Sequence, residues 1–355
     1  MADAVINQRV YYPIQAIGFA TLGTVHATGA YRAAKGVQSI GLNTNFTLDP
    51  VYQLGQIELY EYIENTPDIE LTCEKVIDGF ALLEHLATPA ATVATLAGRY
   101  NTNRAQVAIA YYNINQDFAS GMPLSTVVMS GMYVSAINWN MPIEGNMTES
   151  LTLVGNDKRW YSHATGTPAG LSGTPWLAST LFTGTESPVT ASGGVLRREN
   201  VNMTDSRWPT DIPGISGNSL SGVNPVVTDG FAARIQSVTV GVNLGRTSLF
   251  QLGRKTPYFR YAEFPTEVTC AIETTANEHG DFVNALETQD NLTDQYIKIV
   301  LEQGITLDLG IKNKLQSITS AGGDTGGGNV TTTFNYSNFN SLKITQPARD
   351  PAGLS

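Results

Sequence analysis

Apolar and polar residues alternate through Ile40, Leu42 and Phe46, and they do so again in the same register through Val238, Val240, Val242 and Leu244. A period of two turns successive side chains to opposite faces, so each stretch predicts a strand with one buried side. Further strands are predicted at Ile69–Ile77, Ala105–Asn113, Met132–Met141 and Met147–Val154 in the first half of the chain. In the second half they are predicted at Val268–Thr274, Gln295–Gln303, Ile305–Leu309, Leu315–Thr319 and Val330–Tyr336. The spacing changes at Phe80, Leu83 and Leu86, which fall on one side of a short amphipathic helix; Asp281–Leu286 takes that part in the second half. Between the first two strands of each half run long connections, 47–66 and 245–264. They exceed the length of a tight hairpin turn, and ordered loops of that size usually carry function.

The two halves are related in sequence as well as in pattern. At a constant offset of 198, Gln38, Ser39, Asn45, Gln53, Leu54, Gly55, Tyr60 and Pro67 meet Gln236, Ser237, Asn243, Gln251, Leu252, Gly253, Tyr258 and Pro265. Ordinary composition would give about two such identities by chance. A one-residue slip then aligns Glu70, Thr72 and Cys73 with Glu267, Thr269 and Cys270. The chain reads as an arm (1–35), a first copy (36–160), an intervening segment (161–232), a second copy (233–346) and a tail (347–355). The intervening segment is rich in Gly, Ser, Thr and Pro yet carries Trp176, Phe182, Trp208 and Phe231, which predicts an ordered excursion over the outer surface.

Composition supports a β-rich protein of two cores: 355 residues of which only 15% are charged, with abundant Gly, Thr, Ser and Asn. The net charge of -10 speaks against a surface for duplex nucleic acid or membrane. It is unevenly spread: five Lys/Arg against thirteen Asp/Glu in 36–160, nine against eleven in 233–346. Cys73 and Cys270, the two cysteines, fall in predicted buried strands and are expected to be small buried hydrophobes in a reducing cytoplasm. No basic leader with an apolar run heads the chain, and no stretch is long and apolar enough for a membrane helix; a protein that stays where it is made is expected.

Chemistry-bearing motifs are weak. The cluster Gly322–Gly328 lacks the Gly-Lys-Ser/Thr ending of a phosphate loop and lies between two strands, as a hairpin turn does. His26, His85, His163 and His279 have no partners at metal-ligand spacing. Ser172 and Ser219 do not fit a nucleophile elbow, and Glu58 with Glu61 reads as a solvated acidic face. Asn45, Asn146, Asn202, Asn291, Asn329 and Asn335 head Asn-x-Ser/Thr triplets, read as the Asn/Thr richness of strand ends. No catalytic residue, cofactor or metal is expected, and the chain is not read as an enzyme.

The strand and long loop before Glu70-Leu71-Thr72-Cys73, together with the run from Tyr133 to Asp157, resemble the tail tube proteins of long-tailed bacteriophages. The endings of the second copy, Leu315-Gln316-Ser317-Ile318 and Asn329-Val330-Thr331-Thr332, fit the same pattern. What departs from the family is the duplication. The resemblance implies a mainly β chain of two tandem β-sandwich/barrel domains, each with a short flanking helix and a long stacking loop. It implies homotrimeric, pseudo-hexameric rings that stack into a tube around a lumen for DNA and a tape-measure protein, in a virion assembled in the host cytoplasm. Gln53, Leu54, Gly55, Tyr60, Tyr62, Gln251, Leu252, Gly253, Tyr258 and Tyr261 are then the ring-stacking residues. Terminator and baseplate proteins at the tube ends, and in some tails a sheath, are the partners implied, with no membrane. A hub or terminator that forms one ring, or a two-domain adhesin, is the alternative.

Overall fold

The computed structural model describes residues 15–21, 31–88, 93–95, 104–112, 123, 125–162, 194–212, 215, 234–275, 292–323 and 328–346. The first half supplies β1 (Gln15–Thr21), β2 (Arg32–Ala33), β3 (Val37–Asn45), β4 (Leu48–Tyr52), β5 (Leu59–Glu64), β6 (Asp68–Val76), α1 (Leu83–Ala87), β7 (Val93–Thr95), β8 (Ala105–Tyr111), β9 (Ser125–Pro142), β10 (Thr148–Gly155) and β11 (Asp157–Ser162). The second supplies β12 (Ile235–Asn243), β13 (Arg246–Leu249), β14 (Phe259–Ala262), β15 (Glu267–Thr275), β16 (Gln295–Val300), β17 (Thr306–Ala321), β18 (Thr331–Phe339) and β19 (Lys343–Thr345). The protein is mainly β, with large antiparallel sheets and, among the described residues, no closed barrel.

Eight strands run in one continuous antiparallel sheet, in the order β3-β6-β10-β9-β12-β15-β18-β17. The last four repeat the order of the first four, and β9 against β12 is where the two groups meet. Both β9 and β17 are long enough to serve two sheets. The first half of β9 pairs with β8 and β11, with β1 and β2 beyond β8; the first half of β17 pairs with β16 and β19, with β7 beyond β19. Positive-φ glycines, Gly131 at 68° and Gly310 at 76°, lie where these long strands pass from one sheet to the other.

One apolar core lies between the eight-stranded sheet and the shorter sheets. Trp139, Leu71, Leu151, Val240 and Phe334 enter it from the large sheet; Phe19, Val107, Ile299 and Leu307 enter from the short ones. In β1, Ile17 and Phe19 face the main core, while Ala20, with Tyr31, faces a second cluster with Ala108, Ala110 and Tyr161. A strand buried on both sides has no polar face to alternate with.

The strand register revises the internal alignment. Gln38 and Gln236 each form a bulge, and each side-chain amide donates to the carbonyl two residues back, at Gly36 and Arg234. Just beyond, Ser39 stands opposite Glu74 and Ser237 opposite Glu273, each pair hydrogen-bonded. The offset is therefore 198 on the first strand but 273 − 74 = 199 on the next. Cys73 takes the place of Ile272, and Cys270 that of Leu71. The second half has one residue more before its strand, not one fewer. The error is two residues, which preserves facing, so both cysteines still point into the core, where each is a free thiol.

Other expectations change in extent. The strands expected at 305–309 and 315–319 are one strand, β17, and Met132–Met141 is only the second half of β9. The helix is the five residues of α1, starting after Phe80; its expected counterpart at 281–286 lies outside the described residues. Of the intervening segment, 194–212 and 215 are described. There Leu196 bonds to Ile77 and Met147, Arg207 bonds to Lys298, and Trp208 is buried. Trp176, Phe182 and Phe231 lie outside the described residues, as do Ser172, Ser219, His26, His163 and His279.

Candidate assembly surface

The connections 47–66 and 245–264 are two-stranded hairpins, β4–β5 and β13–β14, that among the described residues pair with no other strand. Their turns match: Gln56 donates its backbone N–H to Gln53 and Arg254 to Gln251, with Gly55 and Gly253 at φ 88° and 81°. Added side chains at either glycine would meet nothing within 4 Å, so backbone conformation alone asks for glycine there. The structure brings the ten residues singled out in the sequence onto these two hairpins. Leu54 and Leu252 are fully exposed, at 101% and 100%, and Ile57 is too; Tyr60, Tyr62 and Tyr258 are exposed, while Tyr261 is half-buried. Isolated apolar residues in water are ordinary; here the exposure recurs at matched places, with Leu54 and Leu252 at the tips of both hairpins.

The hairpins share shape and not charge. Residues 46–64 hold four carboxylates, Asp49, Glu58, Glu61 and Glu64, and no Lys or Arg, a sum of 0 − 4 = -4. The matching residues 244–262 hold Arg246, Arg254, Lys255 and Arg260 and no carboxylate, a sum of 4 − 0 = +4. The second hairpin already rests against the root of the first. The Thr66 hydroxyl donates to the Lys255 carbonyl at 3.0 Å, and the Arg260 guanidinium pairs with Asp68 and with the Asn156 carbonyl oxygen. Arg246 donates to the Val134 carbonyl and lies over the Tyr133 ring, and burial lowers its pKa to about 10.

Sheet edges form the second part of the surface. Among the described residues β3 pairs only with β6, and the second half of β17 only with β18. At the internal junction Ile137, Trp139 and Met141 of β9 and Val238, Val240 and Val242 of β12 are all buried. At the open edges the corresponding Ile40, Leu42 and Ile318 are only half-buried against the core. A cleft of about 130 Å³ lies at the junction beside Met141, Met147, Trp208 and Val238, and one of about 510 Å³ at the equivalent place along β3, beside Ile17, Gly36 and Ile40.

The third part is the face of the large sheet turned away from the core. Register places Ser39, Asn43, Thr72, Ser150, Thr152, Asn138, Asn140, Thr239, Thr269, Asn335, Ser317 and Thr319 there, a lawn of small polar side chains. Its charged members are Asp68, Glu70, Glu74, Glu267 and Glu273 against Lys314, which is tied to the Leu292 carbonyl and Asp294. Cross-strand bonds such as Thr239 to Asn140 and Asn335 to Ser317 satisfy this face without making it apolar. Pattern alone identified the strands; the five carboxylates become one surface only through pairing across both halves.

Among the described residues no three His, Cys, Asp or Glu side chains cluster as a metal site would. His85 is buried in α1. No family profile matches the chain, and no characterised protein sequence does. Among solved structures, one that it matches is the cap terminating the tube of the anti-feeding prophage, at 12% identity and a TM-score of 0.32, over 45% of this chain and 95% of that one.

Proposed function

We propose that this chain is a bacteriophage tail tube protein in which one polypeptide does the work of two ring positions. Three copies join edge to edge, and the rings stack into a tube. The observation that carries this reading is the β9–β12 junction, an internal seam whose two sides recur as the free edges at the ends of the same sheet. Placing β17 of one copy against β3 of the next in the register of that seam brings Thr44 opposite Ile318, Leu42 opposite Ser320 and Ile40 opposite Gly322. The three half-buried apolar side chains then lie in the seam, and exposed edges that invite aggregation are consumed by closure.

Eight strands from each of three copies give a ring of 24. At a strand spacing of about 4.8 Å and a tilt of about 40°, such a barrel is roughly 45–50 Å across, an aqueous channel. The polar, carboxylate-bearing face lines it, and DNA and a tape-measure protein pass within. Head-to-tail stacking is a heterologous contact that does not close, so it propagates into a filament, with the Leu-tipped hairpins at the ring-to-ring contact. Terminator and baseplate proteins would meet the tube at its ends.

Electron microscopy and native mass measurement of the purified chain test this. Hollow tubes, or rings of three chains, are the expected result. Leu42→Lys and Ile318→Lys each put a charge on one edge and should leave a folded monomer. Monomers of the unaltered chain at every concentration would sink the proposal, and rings that never stack would reassign the chain to a single-ring hub or terminator.

A further inference from the structure

The matched hairpins of opposite charge are the feature that the ring reading does not require. Stacking by apolar tips needs no charge at all, and a duplicated chain could keep both hairpins alike. Instead the residues at 46–64 and 244–262 differ by eight charges, from -4 to +4, within the same fold and turn. The charges sit at interleaved places, Asp49, Glu58, Glu61 and Glu64 on one hairpin, Arg246, Arg254, Lys255 and Arg260 on the other. All four carboxylates are exposed, as are Arg254 and Lys255 at the second tip. Within one chain the basic hairpin already leans on the root of the acidic one through Thr66 and Asp68.

We propose that the acidic β4–β5 hairpin of one copy lies beside the basic β13–β14 hairpin of the next copy, and that their opposite charge drives the joining of copies. This rests on the ring reading above and names what selects the partner within it. The internal seam supplies the geometry: there the two hairpins are neighbours, and repeating the seam between copies makes every hairpin around the ring the neighbour of one of opposite sign. Complementary charge of this kind speeds encounter and rejects wrong partners, and because it is exposed it is screened by salt. Each copy is thereby marked with a negative side and a positive side.

The test is ring formation by native mass and sedimentation, read against salt and charge reversal. Raising NaCl from about 0.05 M to about 0.5 M should weaken association of the unaltered chain. Glu58→Lys, Glu61→Lys and Glu64→Lys together should leave the monomer folded, with unchanged melting, and weaken association about tenfold or more. Adding Arg254→Glu and Lys255→Glu to that variant should recover much of the loss. Should the triple reversal misfold, Glu58→Gln, Glu61→Gln and Glu64→Gln replace it, and the expected result is a flattened salt dependence. A folded triple variant that forms rings as readily as the unaltered chain overturns the inference while leaving the ring reading intact. An unaltered chain that forms no rings overturns both.

Discussion

Glu149 is a carboxylate with no exposed surface, held where the chain turns into α1, and it accepts the backbone N–H groups of Leu83 at 2.6 Å and Glu84 at 3.0 Å. Burial pushes its pKa up from 4.5 to about 7, against the lowering effect of those two N–H groups and of Lys75. A raised carboxyl pKa means the folded chain holds its proton more tightly than the unfolded one. That contribution to stability is complete below 4.5 and is lost as pH rises through about 7. Urea unfolding followed from about pH 4.5 to about pH 7.5 should therefore show a decline that Glu149→Gln flattens; equal slopes for both proteins would contradict the assignment. Lys75 poses the reverse problem. Its ammonium is fully buried and bonds to Asp78 at 2.8 Å and to the Lys35 carbonyl at 2.9 Å. Asp78→Ala should cost about 3–5 kcal/mol in chemical denaturation, because the charge stays buried after losing its counter-ion. Lys75→Met should cost a similar amount, since Asp78 is buried too, and the double change Lys75→Met with Asp78→Ala should cost less than either alone.

At the scale of elements, the proposed stacking role of the hairpins can be tested apart from folding. They pair only within themselves, and Leu54 and Leu252 touch water on every side, so Leu54→Ser with Leu252→Ser should leave melting unchanged and rings intact while abolishing tubes in electron micrographs. Tubes of normal length from that variant would remove the tips from the ring-to-ring contact. Much of this was legible in the sequence: the alternation at 40–42 and 238–244, and the recurrence of Gln-Leu-Gly, place two strands and two turns correctly because one face of each strand is wet. Phe46, expected on the buried side, instead lies exposed just past the end of β3. What was not legible has physical causes. β1 is buried on both faces and loses its period. β17 reads as two strands because Gly310 and exposed Ile311 and Lys312 interrupt the pattern where it changes sheets. The Cys73–Cys270 match rests on three shared residues, Glu, Thr and Cys, whereas the strand register that overturns it leaves no trace in residue type.

At the scale of the whole molecule, the wet face of the eight-stranded sheet decides what the proposed channel can carry. Its charged side chains sum to 1 − 5 = -4 per chain, counting Lys314 against Asp68, Glu70, Glu74, Glu267 and Glu273. In the proposed ring, three copies would bring twelve carboxylates from the glutamates alone to the wall. Phosphates held beside such a wall gain nothing from counterion release and are repelled, while Ser, Thr and Asn keep the surface hydrated, so a polyanion slides without a binding minimum. Replacing Glu70, Glu74, Glu267 and Glu273 by Lys changes the wall by eight charges per chain and leaves the core untouched. It removes the Ser39–Glu74, Ser237–Glu273 and Gln316–Glu267 hydrogen bonds, which the same four changes to Ala, as a control, remove without adding positive charge. Tubes of the Lys variant should retain DNA in co-sedimentation at about 0.05 M salt and release it steeply towards about 0.2 M, as phosphate contacts do. Unaltered tubes should retain none at either salt. Were both kinds of tube equally inert, the sheet face would not be the surface that DNA meets, and the lumen would have to be lined by some other part of the chain.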